Sequence, residues 1–213
     1  YNDMMEFTED MTIYMAKKVL GKTEFKYQGQ NISLKKPWRR ITVIDAIKEY
    51  AKIDVEKLSD EGIQKLITDK GIKYDGEYNR GLAVDAVFKG LVEEKLIQPV
   101  FIIDHPKETT PLCKLKRGND SLVERFEPFI FGMEIGNAYS ELNDPLLQRK
   151  FFDMQKKLFQ KDEAHPVDMD FIEAMEYGMP PMGGLGIGID RLAMLFLNQP
   201  SIRDIILFPF MKK

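Results

Sequence analysis

A chain of 213 residues, 44% hydrophobic and 31% charged, is long enough to bury a sizeable core as one domain or one domain with an insertion. Its 31 Lys and Arg against 34 Asp and Glu leave a net charge of −3, which argues against a chain that by itself clamps nucleic acid through phosphates. A membrane span of about 18 apolar residues is missing, the lone Cys113 excludes an internal disulfide, and two histidines make a Cys/His zinc site hard to build.

The opening, YNDMMEFTED, has no basic-then-apolar leader, so a cytoplasmic protein is expected. A helix begins almost at Tyr1, with Met4, Phe7, Met11 and Tyr14 on one face and Gly21 as its stop. The Tyr start points to a piece of a longer protein. Residues 24–27 and 31–34 flank Gln28-Gly29-Gln30 and read as a hairpin. A short extended piece at 38–41 precedes a mostly helical stretch from about 45 to 96, with helices over 43–51 and 55–70 and a stronger one carrying Val84, Val87, Phe88 and Leu91. IQPVFII at 97–103 returns to strand composition, so the helices read as an insertion into a sheet domain.

Two strands over 123–131 and 134–142 then meet at Gly132-Met133. Asp144-Pro145 is a helix start, and Leu147, Phe151, Met154 and Leu158 form that helix's buried face. Another helix spans about 168–177, the Gly-rich run follows at 183–188, then a helix at about 190–198 and a last apolar run at 202–210. With no regular β-α-β alternation, the expected class is α+β, an antiparallel sheet flanked by helices.

The run GGLGIGIDR (Gly183 to Arg191) alternates Gly184, Gly186 and Gly188 with Leu185, Ile187 and Ile189. In a strand this leaves one face without side chains and the other apolar. A bare face admits a flat ring or another backbone; a tightly packed helix would fit it equally. It is not a dinucleotide fingerprint, because Ile189 stands where the third glycine would fall. Arg191 lies near a helix start, where the macrodipole disfavours a cation. Either an anion or ring lies against it, or it pairs with Asp190 or Asp204.

In RFEPFIFGMEIGNAYSELND (Arg125 to Asp144), the turn puts Glu127 and Glu134 on one face of the hairpin. Two carboxylates there repel unless a cation sits between them, and such oxygen ligands suit Mg²⁺ arriving with a phosphate. Solvated strand acids are the plainer alternative, against which stand the apolar neighbours Phe126, Phe129, Ile130 and Phe131. Asn137, Tyr139 and Glu141 share a face of opposite parity to Glu134, so joining the sets requires a bulge, most naturally at Gly136. Together they can hold an ammonium group, or form a polar solvent face. Pro128 removes a ladder donor, so a bulge or edge is expected beside it as well.

GLGIGIDR resembles the third signature motif of class II aminoacyl-tRNA synthetases, and EIGNAYSELND, with Glu127 seven residues ahead of Glu134, resembles the lysyl-tRNA synthetases of that class. The resemblance covers the whole chain and is strongest from Arg125 to Phe210. It implies a six- or seven-stranded antiparallel sheet, ATP-dependent activation of lysine to lysyl-adenylate and transfer to tRNA, in a homodimer. It further implies that Glu127 and Glu134 bind Mg²⁺, that Glu134, Ile135, Gly188, Ile189, Asp190 and Arg191 bind ATP, with Arg191 catalytic, and that Asn137, Tyr139 and Glu141 line the lysine pocket. Residues 1–213 then form the C-terminal portion of the catalytic domain, expected to be inactive alone because the first two motifs and the anticodon-binding domain would precede Tyr1. Two other readings share these residues: a paralogue that transfers lysine to a protein, and a noncatalytic module binding lysine or nucleotide.

Overall fold

The structure is a computed structural model that describes residues 1–158 and 168–209. Helix α1 (Asn2–Leu20) ends at Gly21, whose φ of 71° lets its N–H turn back to the Lys17 carbonyl. Strands β1 (Glu24–Tyr27) and β2 (Gln30–Ser33) form a two-stranded sheet. Their turn places Gln28 and Gly29 at φ 47° and 83°, the twin positive values that a type I′ hairpin turn requires.

Strand β3 (Arg39–Thr42) leads into α2 (Val43–Ala46), whose first turn is capped by the Thr42 hydroxyl and which continues as a π-helical turn over Ile47–Ala51. The helix expected over 55–70 divides in two: a 3₁₀ turn at Val55–Lys57, then α3 (Asp60–Asp69), restarted by the Ser59 side chain accepting from the Gly62 N–H. Helix α4 (Arg80–Leu91) completes the crossover to β4 (Val100–Pro106), which lies parallel to β3. A parallel neighbour needs such a long connection, and this explains the helical stretch between the two strands.

The remaining strands are β5 (Leu115–Lys116), β6 (Asn119–Ile130), β7 (Met133–Glu134), β8 (Gly136–Ser140) and β9 (Gly183–Ile187). They build one sheet in the order β3-β4-β6-β8-β9, antiparallel from β4 onward, with β5 and β7 also paired to β6. Helices α5 (Pro145–Leu158) and α6 (Met169–Glu176) lie between β8 and β9 in sequence, and α7 (Ile189–Leu197) follows β9. The Asp144 carboxylate caps the first turn of α5 as the Asp-Pro pair predicts, and Asp168 caps α6. The segment 202–208 holds a 3₁₀ turn and bends; Phe210 is outside the described residues.

Each sheet face has its own core. On one, Ile41, Val100, Ile102 and Phe129 pack with Ile47, Ile63, Val87, Phe88 and Leu96 of the crossover. On the other, Phe101, Phe126, Ile130 and Ala138 meet Met5 and Ala16 of α1, Phe25 and Ile32 of the hairpin, and Leu192 and Leu195 of α7.

Two expected helix faces are corrected. Helix α1 buries Met5, Thr8, Glu9, Thr12 and Ala16, whereas Phe7 and Tyr14 are 53% and 61% exposed. Thr8 and Thr12 donate to the carbonyls of Met4 and Thr8, and Glu9 accepts from the Trp38 N–H at 2.7 Å. The polar stripe is thereby satisfied, which removes the cost of burying it. Helix α5 buries Phe151, but Leu147, Met154 and Leu158 only partly, and it also buries Gln148, whose amide donates to the Pro111 carbonyl.

Candidate active site

The site is built where β6, β8 and β9 run side by side. Arg125 lies opposite Tyr139, Tyr139 opposite Gly184, and Asn137 opposite Gly186. Opposed residues project to the same face, so the bare glycine face is the face that carries Asn137 and Tyr139. Leu185 and Ile187 turn to the other side and join the α1–α7 core. The alternation in GGLGIGIDR thus gives a floor without side chains and an apolar underside.

The carboxylates reach this face through a bulge. Phe129 pairs with Glu134, but Phe126 pairs with Ala138, a one-residue advance that leaves Ile135 between β7 and β8. It lies across from Pro128, which has no N–H to offer; Pro128 accepts from the Ile135 N–H at 2.8 Å instead. Gly136 is needed here, because a Cβ would sit 2.7 Å from the Gly186 carbonyl and 3.4 Å from the Pro128 ring. One displaced residue therefore puts Glu127, Glu134, Asn137 and Tyr139 on one side of the sheet.

Each of the two paired carboxylates meets an arginine. The Arg125 guanidinium bonds Glu127 Oε1 at 2.5 Å, with side-chain exposures of 13% and 7%. Arg191 donates to the Glu134 main-chain carbonyl at 2.5 Å and stands 3.6 Å from its carboxylate. It sits in the first turn of α7, after Gly188 as N-cap, with Ile189 and Asp190 beside it on the exposed surface. The partner of Arg191 is thus Glu134, in place of Asp190 or Asp204. Ile135 is fully buried and its carbonyl accepts from the Gly188 N–H, so only its main chain faces the α7 N-terminus.

At the other end of the face, a Cβ on Gly184 would come within 1.8 Å of Glu141 Oε1. The Glu141 carboxylate therefore lies directly on the glycine floor, in space that alanine would take. Burial raises the pKa of Glu141, and burial with the nearby Glu141 charge raises that of Tyr139. Cys113 bridges to the Glu141 backbone, and burial pushes its thiol up to about 12; a thiol that high is not a nucleophile at neutral pH.

Burial raises Glu127 against the lowering influence of Arg125, and burial with the Glu127 charge raises Glu134. Two neighbouring carboxylates whose ionised forms burial disfavours fit a hard divalent cation that arrives with phosphate oxygens. Among the described residues no group of three or more His, Cys, Asp and Glu side chains is placed to hold a metal. The donor set accordingly fits Mg²⁺ shared with a substrate and does not fit a closed, all-protein cage.

Several neighbours escape sequence reasoning. Arg125 joins Glu127 to Asn137 and Thr109. From the crossover, Asp85 and Lys89 pair at 2.7 Å, and Glu93 is raised to about 7 by burial and by the Glu127 charge. Fully buried His105 is lowered to about 3 by burial and by Arg125, so its 3.9 Å approach to Glu127 is made by a neutral ring. The spacing of Asp85, Lys89 and Glu93 is a helical stripe that the sequence displays, but its destination is set by the crossover.

A family model described as "tRNA synthetases class II (D, K and N)" matches residues 1–212. A lysine–tRNA ligase of Clostridium novyi (strain NT) is 52% identical across 100% of this chain, which covers 43% of that protein. The lysine–tRNA ligase of Clostridium kluyveri is 50% identical with the same coverage, and that of Clostridium perfringens is 48% identical over 100% of the chain and 44% of the relative. The chain spans less than half the length of these curated relatives.

Proposed function

Because this chain belongs to the class II tRNA synthetases for aspartate, lysine and asparagine, we propose that it is the C-terminal part of a lysine–tRNA ligase catalytic domain. In the longer protein the reaction is activation of lysine by ATP followed by transfer to tRNA. A lysine carboxylate oxygen attacks the α-phosphorus of ATP, the bond to pyrophosphate breaks, and lysyl-adenylate results. A hydroxyl of the terminal tRNA ribose then attacks the activated carbonyl and AMP leaves. No protein nucleophile is required, so the task of the site is positioning and charge neutralisation.

Glu141 faces the side-chain ammonium, with Tyr139 and Asn137 orienting it on the glycine floor. Glu134, Gly188 and Arg191 form the nucleotide side, joined by Ile189, Asp190 and the main chain of Ile135. Glu127 and Glu134 would hold Mg²⁺, which when bound would supply positive charge to offset that of the ATP phosphates. Transfer RNA and the second protomer of a homodimer are met mainly by parts of the protein beyond this chain.

The observation that carries the reading is the Glu141 carboxylate lying where a Gly184 Cβ would be: a fixed anion on a bare surface, with flanking hydrogen-bonding groups, matches a ligand with a terminal cation. Glu141→Gln keeps the shape and removes the charge. Leaving one partner of a partly buried ion pair alone costs about 3–5 kcal/mol, so lysine-dependent ATP–pyrophosphate exchange by the full-length protein should fall at least about 100-fold. ATP affinity should hardly change. Unaltered lysine affinity in this variant would remove the basis for lysine as substrate.

A further inference from the structure

Arg125 is out of place by charge. It lies on the face proposed to receive the cationic end of lysine and a divalent cation, its side chain only 13% exposed. A third cation there weakens both ligands unless it is consumed by local bonds. Its fork is shared among Glu127 Oε1 at 2.5 Å, Asn137 Oδ1 at 3.0 Å and Thr109 Oγ1 at 3.3 Å. Glu127 belongs to the proposed cation site, Asn137 to the proposed amino-acid pocket, and Thr109 to the turn after β4. One rigid planar group thus spans two subsites, a geometry that a flexible lysine ammonium does not reproduce.

We propose that Arg125 is a positioning residue that couples the two subsites: it fixes Asn137 for the amino acid and serves as the resident countercharge of Glu127 that an incoming divalent cation must displace. This rests on the reading of Asn137, Tyr139 and Glu141 as an amino-acid pocket. The two functions have opposite signs. Removing the guanidinium unfastens Asn137, which harms amino-acid binding. It also relieves Glu127 of a competing cation, which helps a metal.

The test measures two equilibria in the full-length protein, neither of them activity. Lysine is titrated by calorimetry, and Mn²⁺ is titrated in the presence of ATP with free Mn²⁺ followed by electron paramagnetic resonance. Arg125→Gln should weaken lysine by about ten-fold, the size of one charge-assisted hydrogen bond, and tighten Mn²⁺ several-fold. Arg125→Lys keeps the charge beside Glu127 but loses the fork, so lysine should stay weakened while Mn²⁺ returns to the wild-type value. It also preserves the Glu127 ion pair should Arg125→Gln fold poorly. Both affinities falling together, only one moving in Arg125→Gln, or neither moving would overturn the coupling. A wild-type protein that does not bind lysine would instead defeat the amino-acid reading itself.

Discussion

One face of the main sheet is divided into two unlike halves. Toward β3 and β4 it is sealed: Ile41, Val100, Ile102 and Phe129 lie under α2, α3 and α4, and Ile63 and Phe88 are fully buried above them. Toward β8 and β9 the same face carries Asn137, Tyr139 and Glu141 around glycines that offer no side chain. Glu127 stands at the border, paired across the ladder with Ile102 of the sealed half and bonded to Arg125 of the open one. The contrast shows how a sheet face becomes a site: the helical cover stops, and removing side chains from the edge strand clears space that the cover would otherwise fill. Apolar burial is concentrated in one half, and the residues proposed to recognise ligand lie in the other.

That division predicts separable effects of mutation. Ile63→Ala, deep in the sealed half, should cost about 2–5 kcal/mol of stability in denaturant titrations while lysine affinity per folded molecule stays the same; a matching loss of affinity would erase the boundary. Arg191→Ala, in the open half, should reverse the pattern, leaving stability nearly intact while ATP–pyrophosphate exchange drops about 100- to 1,000-fold, the usual penalty for removing one electrostatic contact to a transition state. Exchange within a few-fold of wild type would leave Arg191 as a strut for Glu134.

Gly184→Ala sharpens the comparison further. Its methyl would displace the Glu141 carboxylate, whereas at Gly186 a Cβ meets only the Asn137 carbonyl at an ordinary 3.6 Å. Lysine affinity should therefore fall by roughly ten-fold or more in Gly184→Ala, about 1.4 kcal/mol, and by less in Gly186→Ala. Equal effects would mean that the floor is generic.

A pH-dependent effect is expected at the border. Glu93 has its folded pKa raised from 4.5 to about 7 by burial and by Glu127. Between these values the unfolded chain releases a proton that the folded chain retains, so stability falls as pH rises through this window, and the penalty is complete above it. Glu93→Gln should raise the urea midpoint at about pH 8 and leave it unchanged near pH 4. A gain at both pH values would assign the effect to packing.

The open half was the more legible in sequence. Alternating glycines, the two carboxylates flanking a Gly turn, and the parity conflict that forces a bulge near Gly136 are all local patterns, and strand geometry carries them directly into space. The sealed half was legible in composition but not in destination. Asp85, Lys89 and Glu93 come within electrostatic range of Glu127 because the crossover between the parallel strands β3 and β4 carries them there, a long-range fact with no local signature. The α1 face failed for a different reason. Its largest apolar side chains are partly exposed, and a stripe of threonines and Glu9, each hydrogen-bonded in place, faces inward. Ranking by hydrophobicity cannot anticipate a polar stripe whose partners are already supplied. Arg125 is similar: its guanidinium is held by three acceptors drawn from separate segments.

The long closure of the second core has a consequence in time. Helix α1 packs against β9 and α7, and the Tyr27 hydroxyl donates to the Gln199 carbonyl, 172 residues further along the chain. At ribosomal speeds of roughly 5–20 residues per second, the α1 and hairpin surfaces wait on the order of 10–30 s for the partners that cover them. Phe25 and Ile32, buried in the finished core, are in that interval nascent apolar surface without its lid. A core closed by segments this far apart in sequence therefore has its most exposed interval during synthesis, ahead of the finished fold.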